Sequence, residues 1–287
     1  METIKDLRLA VLIDADNIPY GGVKEMMEEI AKYGTPTFKR IYADWTRPTL
    51  AGWKKVLLEN AITPVQQYSY STGKNSSDSA MIIDAMDILY SGRVDGFCIV
   101  SSDSDFTRLA IRLREAGMKV IGIGERKTLT ALISACDKFI YLEILRKQPE
   151  DVPAAPVPAA NNKARRAPRK ALQPKTAPVE NIPVEAAAPE QPQQAPSTQA
   201  TVSVLNDHVI NLIASSISDV ADEAGWAFVG DLGNLMLKKQ PDFDARNYGF
   251  KKLVPLLKSL QQFEIDERES GKGNIKHVFV RMRAQTP

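Results

Sequence analysis

Two short apolar runs end in carboxylates, and this limits what the chain can fold into more than any other feature. Phe97-Cys98-Ile99-Val100 passes through Ser101 and Ser102 to Asp103 and Asp105, and Leu9-Ala10-Val11-Leu12-Ile13 runs into Asp14, Asp16 and Asn17. Consecutive apolar residues without polar alternation describe a strand covered on both faces, as in a parallel sheet. In open α/β sheets ligands gather beyond the carboxyl ends of such strands. If these two strands are neighbours, at least three carboxylates converge on one crevice.

The intervening chain alternates helical and extended patterns. Residues 21–33 carry Val23, Met26, Met27 and Ile30 at helical spacing, with Gly34 as the stop. A strand over 38–43, a helix over 49–60 burying Trp53, Val56 and Leu57, and an extended segment over 62–70 follow. A polar loop with Gly73, Lys74 and Asn75 then delivers Asp78 into the first turn of a helix that buries Ile82, Ala85, Met86 and Leu89. Beyond the second acidic strand end, the patterns give a helix over 108–117, a strand over 119–124, a helix over 128–139 and an edge strand over 141–145. This alternation predicts βαβ units, a mostly parallel sheet and right-handed crossovers, hence an α/β domain over residues 1–148.

From 149 to 200 the character changes. Eleven of the 18 prolines fall there, interleaved with Ala and Gln and almost without aromatics, so no core offsets the entropy of ordering. The segment reads as a disordered linker that sets the reach between two folded parts. Its basic run, Lys163 to Lys170, is open to two readings, a phosphate contact or a solvated charge run that keeps the linker extended. Residues 201–287 are patterned again. Helices are expected over 205–221, 230–238 and 245–260, followed by a hairpin of 263–267 and 277–281 around a turn rich in Gly and Lys. Three helices and a hairpin describe a small winged-helix α+β domain.

Charge does not announce a partner. The formal net charge is +2, and basic and acidic residues balance within each segment, at 20 and 19 in 1–148, 6 and 5 in 149–200, and 11 and 11 in 201–287. Any phosphate binding therefore rests on local clusters or metal ions. The two cysteines, Cys98 and Cys136, lie in apolar contexts, and neither they nor the two histidines have the spacing of a zinc site. No apolar run approaches the ~20 residues of a membrane span, and acids Asp6 and Asp14 bracket the first apolar stretch, against an export signal. A cytoplasmic protein without a membrane partner is expected.

Asp14, Asp78, Asp103 and Asp105 each stand where a strand ends or a helix begins. Carboxylates packed together raise one another's pKa unless a cation neutralises them. Oxygen donors without His or Cys favour Mg2+ or Mn2+, which bind substrate phosphates and activate water. The bland alternative is a set of separate cap and turn acids, since an acid in a first helical turn is stabilised by the helix dipole alone.

The set IDADN, KNSSDSAMIIDAMD and IVSSDSDF resembles the NYN domain of the LabA-like group, a branch of the PIN-like nuclease fold, over roughly residues 8–145. The resemblance implies a three-layer PIN-like domain and a metal-dependent ribonuclease. Asp14, Asp78, Asp103 and Asp105 would be its catalytic and metal-binding residues, with Asn17, Ser101 and Ser102 in support. Residues GWAFVGDLGNLMLKKQPDFDARNYGFKKLVPLL resemble the OST-HTH, or LOTUS, domain, which implies RNA binding and docking to a protein partner. Lys74 in the front domain, Lys251 and Lys252 on the third helix, and Lys272 and Lys276 in the wing are the candidate RNA contacts. The rival class is a non-catalytic RNA-binding or adaptor protein that keeps the PIN-like fold. An aspartyl phosphatase is disfavoured because Ile18 stands where a small hydroxyl residue or valine is usual.

Overall fold

The computed structural model describes residues 6–15, 18–68, 76–145, 207–269 and 276–283. Asp16, Asn17, Lys74, Lys272 and the segment 149–200 lie outside the described residues, as does the side chain of Lys276.

The front part runs β1 (Arg8–Asp14), α1 (Val23–Ile30), β2 (Thr35–Ala43), α2 (Trp53–Asn60), β3 (Thr63–Gln66), α3 (Ser76–Tyr90), β4 (Gly96–Val100), α4 (Thr107–Glu115), β5 (Lys119–Gly124), α5 (Thr130–Ala135), β6 (Lys138–Tyr141) and α6 (Leu142–Leu145). The strands form one sheet in the order β3-β2-β1-β4-β5-β6, and every described pairing in it is parallel. β1 and β4 are neighbours, with Ile13 opposite Val100. The two acidic strand ends therefore sit side by side.

Alternation along β1 assigns the layers. Leu9, Val11 and Ile13 pack with Val23, Met26 and Ile30 of α1 and Trp53 and Leu57 of α2 on one face. Ala10 and Leu12 meet Met81, Ala85 and Ile88 of α3, together with α4 and α5, on the other. The domain is thus a three-layer α/β/α sandwich. The inward edge of α3 is set by Met81, Ala85 and Ile88, while Ile82, Met86 and Leu89 are only partly buried, a rotation of about a third of a turn from the face read in the sequence. Two boundaries also differ. The helix expected over 128–139 ends at Ala135, and Phe139 lies in β6, so the edge strand ends at Tyr141 and the rest of 141–145 is α6.

The rear part comprises α7 (Asp207–Val220), β7 (Ala227–Phe228), α8 (Val229–Lys239), α9 (Leu253–Ser259), β8 (Phe263–Glu269) and β9 (Lys276–Met282). β9 pairs antiparallel with both β7 and β8, which makes a winged helix with its own core around Ile213, Leu232, Met236, Leu256 and Val280. The third helix is broken into a 3-10 turn (Ala245–Tyr248) and α9, because Gly249 takes φ +83°, which is left-handed and ends a helix. Phe243 is buried and stacks on Tyr248 with centroids 6.1 Å apart, so both serve the core.

The two folded parts belong to one compact unit. The Phe139 N–H on edge strand β6 donates to the Pro241 carbonyl at 2.9 Å, and the Tyr141 hydroxyl donates to Asp242 at 2.7 Å. Arg246 forks onto both oxygens of Glu29 at 2.9 and 2.7 Å, and also reaches Asp244 at 2.8 Å. The backbone hydrogen bond pairs a group on a sheet edge that would otherwise be open, and the bidentate ion pair ties the rear part to α1. Direct contact, rather than tether length alone, sets where the rear part stands.

Candidate active site

Asp14 is the last residue of β1 and is 1% exposed. The hydroxyl of Ser101, the first residue beyond β4, donates to it at 2.9 Å, and the same oxygen accepts the Asp103 N–H at 3.0 Å. One buried serine thus joins the end of one strand to the loop leaving the next. Asp103 takes an extended conformation and accepts the Asp105 N–H at 2.9 Å, capping the 3-10 turn (Ser104–Phe106) that leads into α4. Ser102 accepts the Glu125 N–H at 2.8 Å, fastening this loop to the connection after β5. The loop lies flush on β5 only because Gly124 has no side chain, since a Cβ there would stand 2.7 Å from the Ser101 carbonyl oxygen.

α3 delivers Asp78 in its first turn, where the helix dipole favours an acid. Asp78, Asp103 and Asp105 each offer a carboxylate oxygen, and these oxygens all lie within 4.8 Å of one another. Asp78 is buried, Asp103 half-buried and Asp105 exposed, so the cluster opens to solvent on the Asp105 side. Asp14 is not among the three that share this radius and is joined to Asp103 through Ser101. Local roles such as the Asp103 cap coexist with convergence, and it is the convergence that separate cap acids do not explain.

Three carboxylates from a helix start and a strand end fit a hard divalent cation. The donors are oxygen only, which suits Mg2+ or Mn2+ over zinc, and the group is half open, as a metal that keeps waters and substrate oxygens requires. Cys98 and Cys136 are buried free thiols, and burial raises both, Cys136 to about 12, so they are inert core groups.

A polar contact adds to the apolar packing that seats α3, and so Asp78, on the sheet. Asp84 accepts hydrogen bonds from Arg40 and from the buried hydroxyl of Tyr42, both on β2. Burial, then the Asp84 carboxylate, push the Tyr42 phenol well above its ordinary range. Among the candidate RNA contacts, Lys251 and Lys252 are exposed but precede α9 rather than lie on it. In the rear part Arg281 lies over Trp226 at 4.5 Å and Arg268 over Phe279 at 4.2 Å, a cation–aromatic cluster outside the lysines expected to touch RNA.

Among the described residues no helix is long and apolar enough to cross a membrane. Residues 8–143 match the family model of the NYN domain, and residues 201–275 match that of the OST-HTH/LOTUS domain. Among solved structures, the chain is similar to a protein of unknown function from Vibrio parahaemolyticus, at 21% identity over 48% of this chain and 94% of that one, with a TM-score of 0.41. It is also similar to an uncharacterized protein from Nitrosomonas europaea, at 30% identity over 37% of this chain and 96% of that one, TM-score 0.27. A third similarity is to a segment of a protein from Chromobacterium violaceum, at 29% identity over 29% of this chain and 87% of that one, TM-score 0.24. No curated protein matches.

Proposed function

Because residues 8–143 match the NYN domain family and residues 201–275 match the OST-HTH/LOTUS domain family, we propose that the chain is a metal-dependent ribonuclease that hydrolyses RNA phosphodiester bonds. The observation that carries this reading is the meeting of Asp78, Asp103 and Asp105 within 4.8 Å beside the carboxyl ends of β1 and β4. In this proposal those three aspartates hold Mg2+ or Mn2+, and Asp14, linked to Asp103 through Ser101, completes the acidic set. A divalent cation so held supplies Lewis acidity toward a phosphodiester and acidifies an attacking water.

The chain's own residues supply the geometry. Asp78 is fixed by α3, and Asp103 by its N–H on Ser101 and by its cap on Asp105. Asp14 orders the Ser101 hydroxyl, and Ser102 holds the loop against β5. The exposed side at Asp105 is where a strand of RNA enters. The winged helix takes part of the same RNA, with Lys251, Lys252 and the wing lysines Lys272 and Lys276 as its phosphate contacts and Lys74 as that of the front domain. A protein partner on the winged helix, and a cytoplasmic location, belong to the same proposal.

The test is incubation of the full chain with labelled single-stranded and structured RNA in Mg2+ or Mn2+. Cleavage that chelator abolishes, and that Asp103→Asn lowers by on the order of 10²-fold or more, supports the reading. RNA binding with no turnover in either ion sinks it and leaves the adaptor class.

A further inference from the structure

The front and rear parts enclose a cleft of about 750 Å³ that includes Tyr33, Arg114, Lys119, Lys138, Lys238 and Lys239 in its lining. Among the described residues, the only carboxylate in its lining is Asp137. The whole chain is close to neutral at +2, so five cations facing one acid is a local segregation of charge. Three of the cations come from the front part and two from α8 of the rear part. The cleft therefore exists only while the two parts are docked.

The cations are not equally satisfied. Arg114 and Lys119 lie 3.5 and 3.7 Å from the shared Asp137, and Lys239 pairs with Asp219 at 2.6 Å. Lys138 has no ion pair among the described residues and rests over the Tyr33 ring at 5.7 Å. Burial pulls its ammonium below the ordinary lysine range, with Asp244 across the contact opposing the shift. A half-buried lysine without a carboxylate partner, at the wall of a cleft with four more cations, is electrostatically incomplete. An anion supplied from outside completes it.

The cleft is also separate from the aspartate cluster. Lys119 and Lys138 are the first residues of β5 and β6, whereas the aspartates lie past the carboxyl ends of β1 and β4. The two sites stand at opposite poles of the sheet, about 20 Å apart by strand length.

We propose that this cleft is a second binding site, for a ligand bearing two or more phosphates, and that its occupation tightens the docking of the winged helix on the α/β domain. A cavity of this size is within the range that encloses a nucleotide. A nucleoside diphosphate and consecutive phosphodiesters of an RNA strand present the same chemistry to it.

The experiment titrates full-length Asp103→Asn protein, in chelator so that no cleavage intervenes, with ADP and separately with a fluorescein-labelled single-stranded RNA. Titrations are repeated in Lys138→Met and in the double variant Lys238→Ser/Lys239→Ser, with circular dichroism to confirm folding. The expected result is binding that each variant weakens by about ten-fold or more, with a smaller salt slope by about one per lysine removed. Arg246→Ala, which does not line the cleft, weakens it too because docking is lost. If ADP binds and competes with RNA, the source is a free nucleotide. If only RNA shows the lysine-dependent loss, the source is the strand itself. Failure of both ligands to bind, or equal affinity in folded lysine variants, overturns the proposal. Neither result bears on metal-dependent cleavage, which is measured separately in the unsubstituted protein.

Discussion

Ser101 is fully buried, and its hydroxyl links Asp14 to the loop that carries Asp103. Ser101→Ala leaves a buried carboxylate without that donor, which costs roughly 1–3 kcal/mol. It also frees the Asp103 N–H, so RNA cleavage should fall by about 10–100-fold, the size expected when support for a metal ligand is lost. Thermal melting and single-turnover cleavage measure the two losses. Full cleavage in a folded Ser101→Ala would remove the serine from the site. At this scale the acids were legible, because a carboxylate right after a buried strand is conspicuous. Glu29 was not, since a glutamate on an amphipathic helix reads as solvated charge, and its partner Arg246 lies 217 residues away.

Elements were legible wherever apolar spacing was long and regular, as in α1, α4, α7 and all the central strands. They failed where a short apolar run had no period to distinguish helix from strand. Residues 128–139 are such a run, and there packing decided: Gly122 receives the Phe139 ring, which a Cβ would meet at 2.5 Å, so Phe139 belongs to a strand beside β5. The break before α9 was available in Gly249, but a lone glycine in a helical pattern does not by itself announce a positive φ. The seat of the acidic loop on β5 is an element-scale device of the same kind. Gly124→Ala places a methyl group 2.7 Å from the Ser101 carbonyl and 2.8 Å from the Thr128 hydroxyl, backbone on one side and a buried side chain on the other. Overpacking of this kind costs about 1–3 kcal/mol, and the loop, as the part able to shift, should carry Asp103 with it. Lower melting temperature and lower cleavage together are expected, and wild-type values for both would show that the loop position does not matter.

For the whole molecule, sequence gave two folded parts and an apolar-poor connection, but not the contact between them, because an interface built from one fork of arginine and one strand edge has no periodic signature. That contact makes a pH prediction. Burial opposes the charge on Glu29, but hydrogen bonds from Arg246 and Lys32 outweigh it and hold the carboxyl down at about 2 against an ordinary 4.5. Asp244, beside the same guanidinium, is shifted in the same direction. Folded pKa values below the unfolded ones mean that the stabilisation is complete above pH 4.5 and is lost as pH falls toward 2. Small-angle scattering should therefore show a compact particle at neutral pH that expands within this window. Arg246→Ala should be expanded already at pH 7, because removing one partner of a buried pair costs up to ~3–5 kcal/mol. An unchanged scattering profile in Arg246→Ala would mean that the ion pair does not hold the two parts together.

The proposed hydrolysis requires a cation among the aspartates, and a crystal soaked in Mn2+ tests that most directly. The predicted result is an anomalous peak at about 2.1–2.3 Å from oxygens of Asp78 and Asp103, lost in Asp78→Asn/Asp103→Asn. A saturating soak with no peak there, or with manganese only at other surface acids, contradicts it.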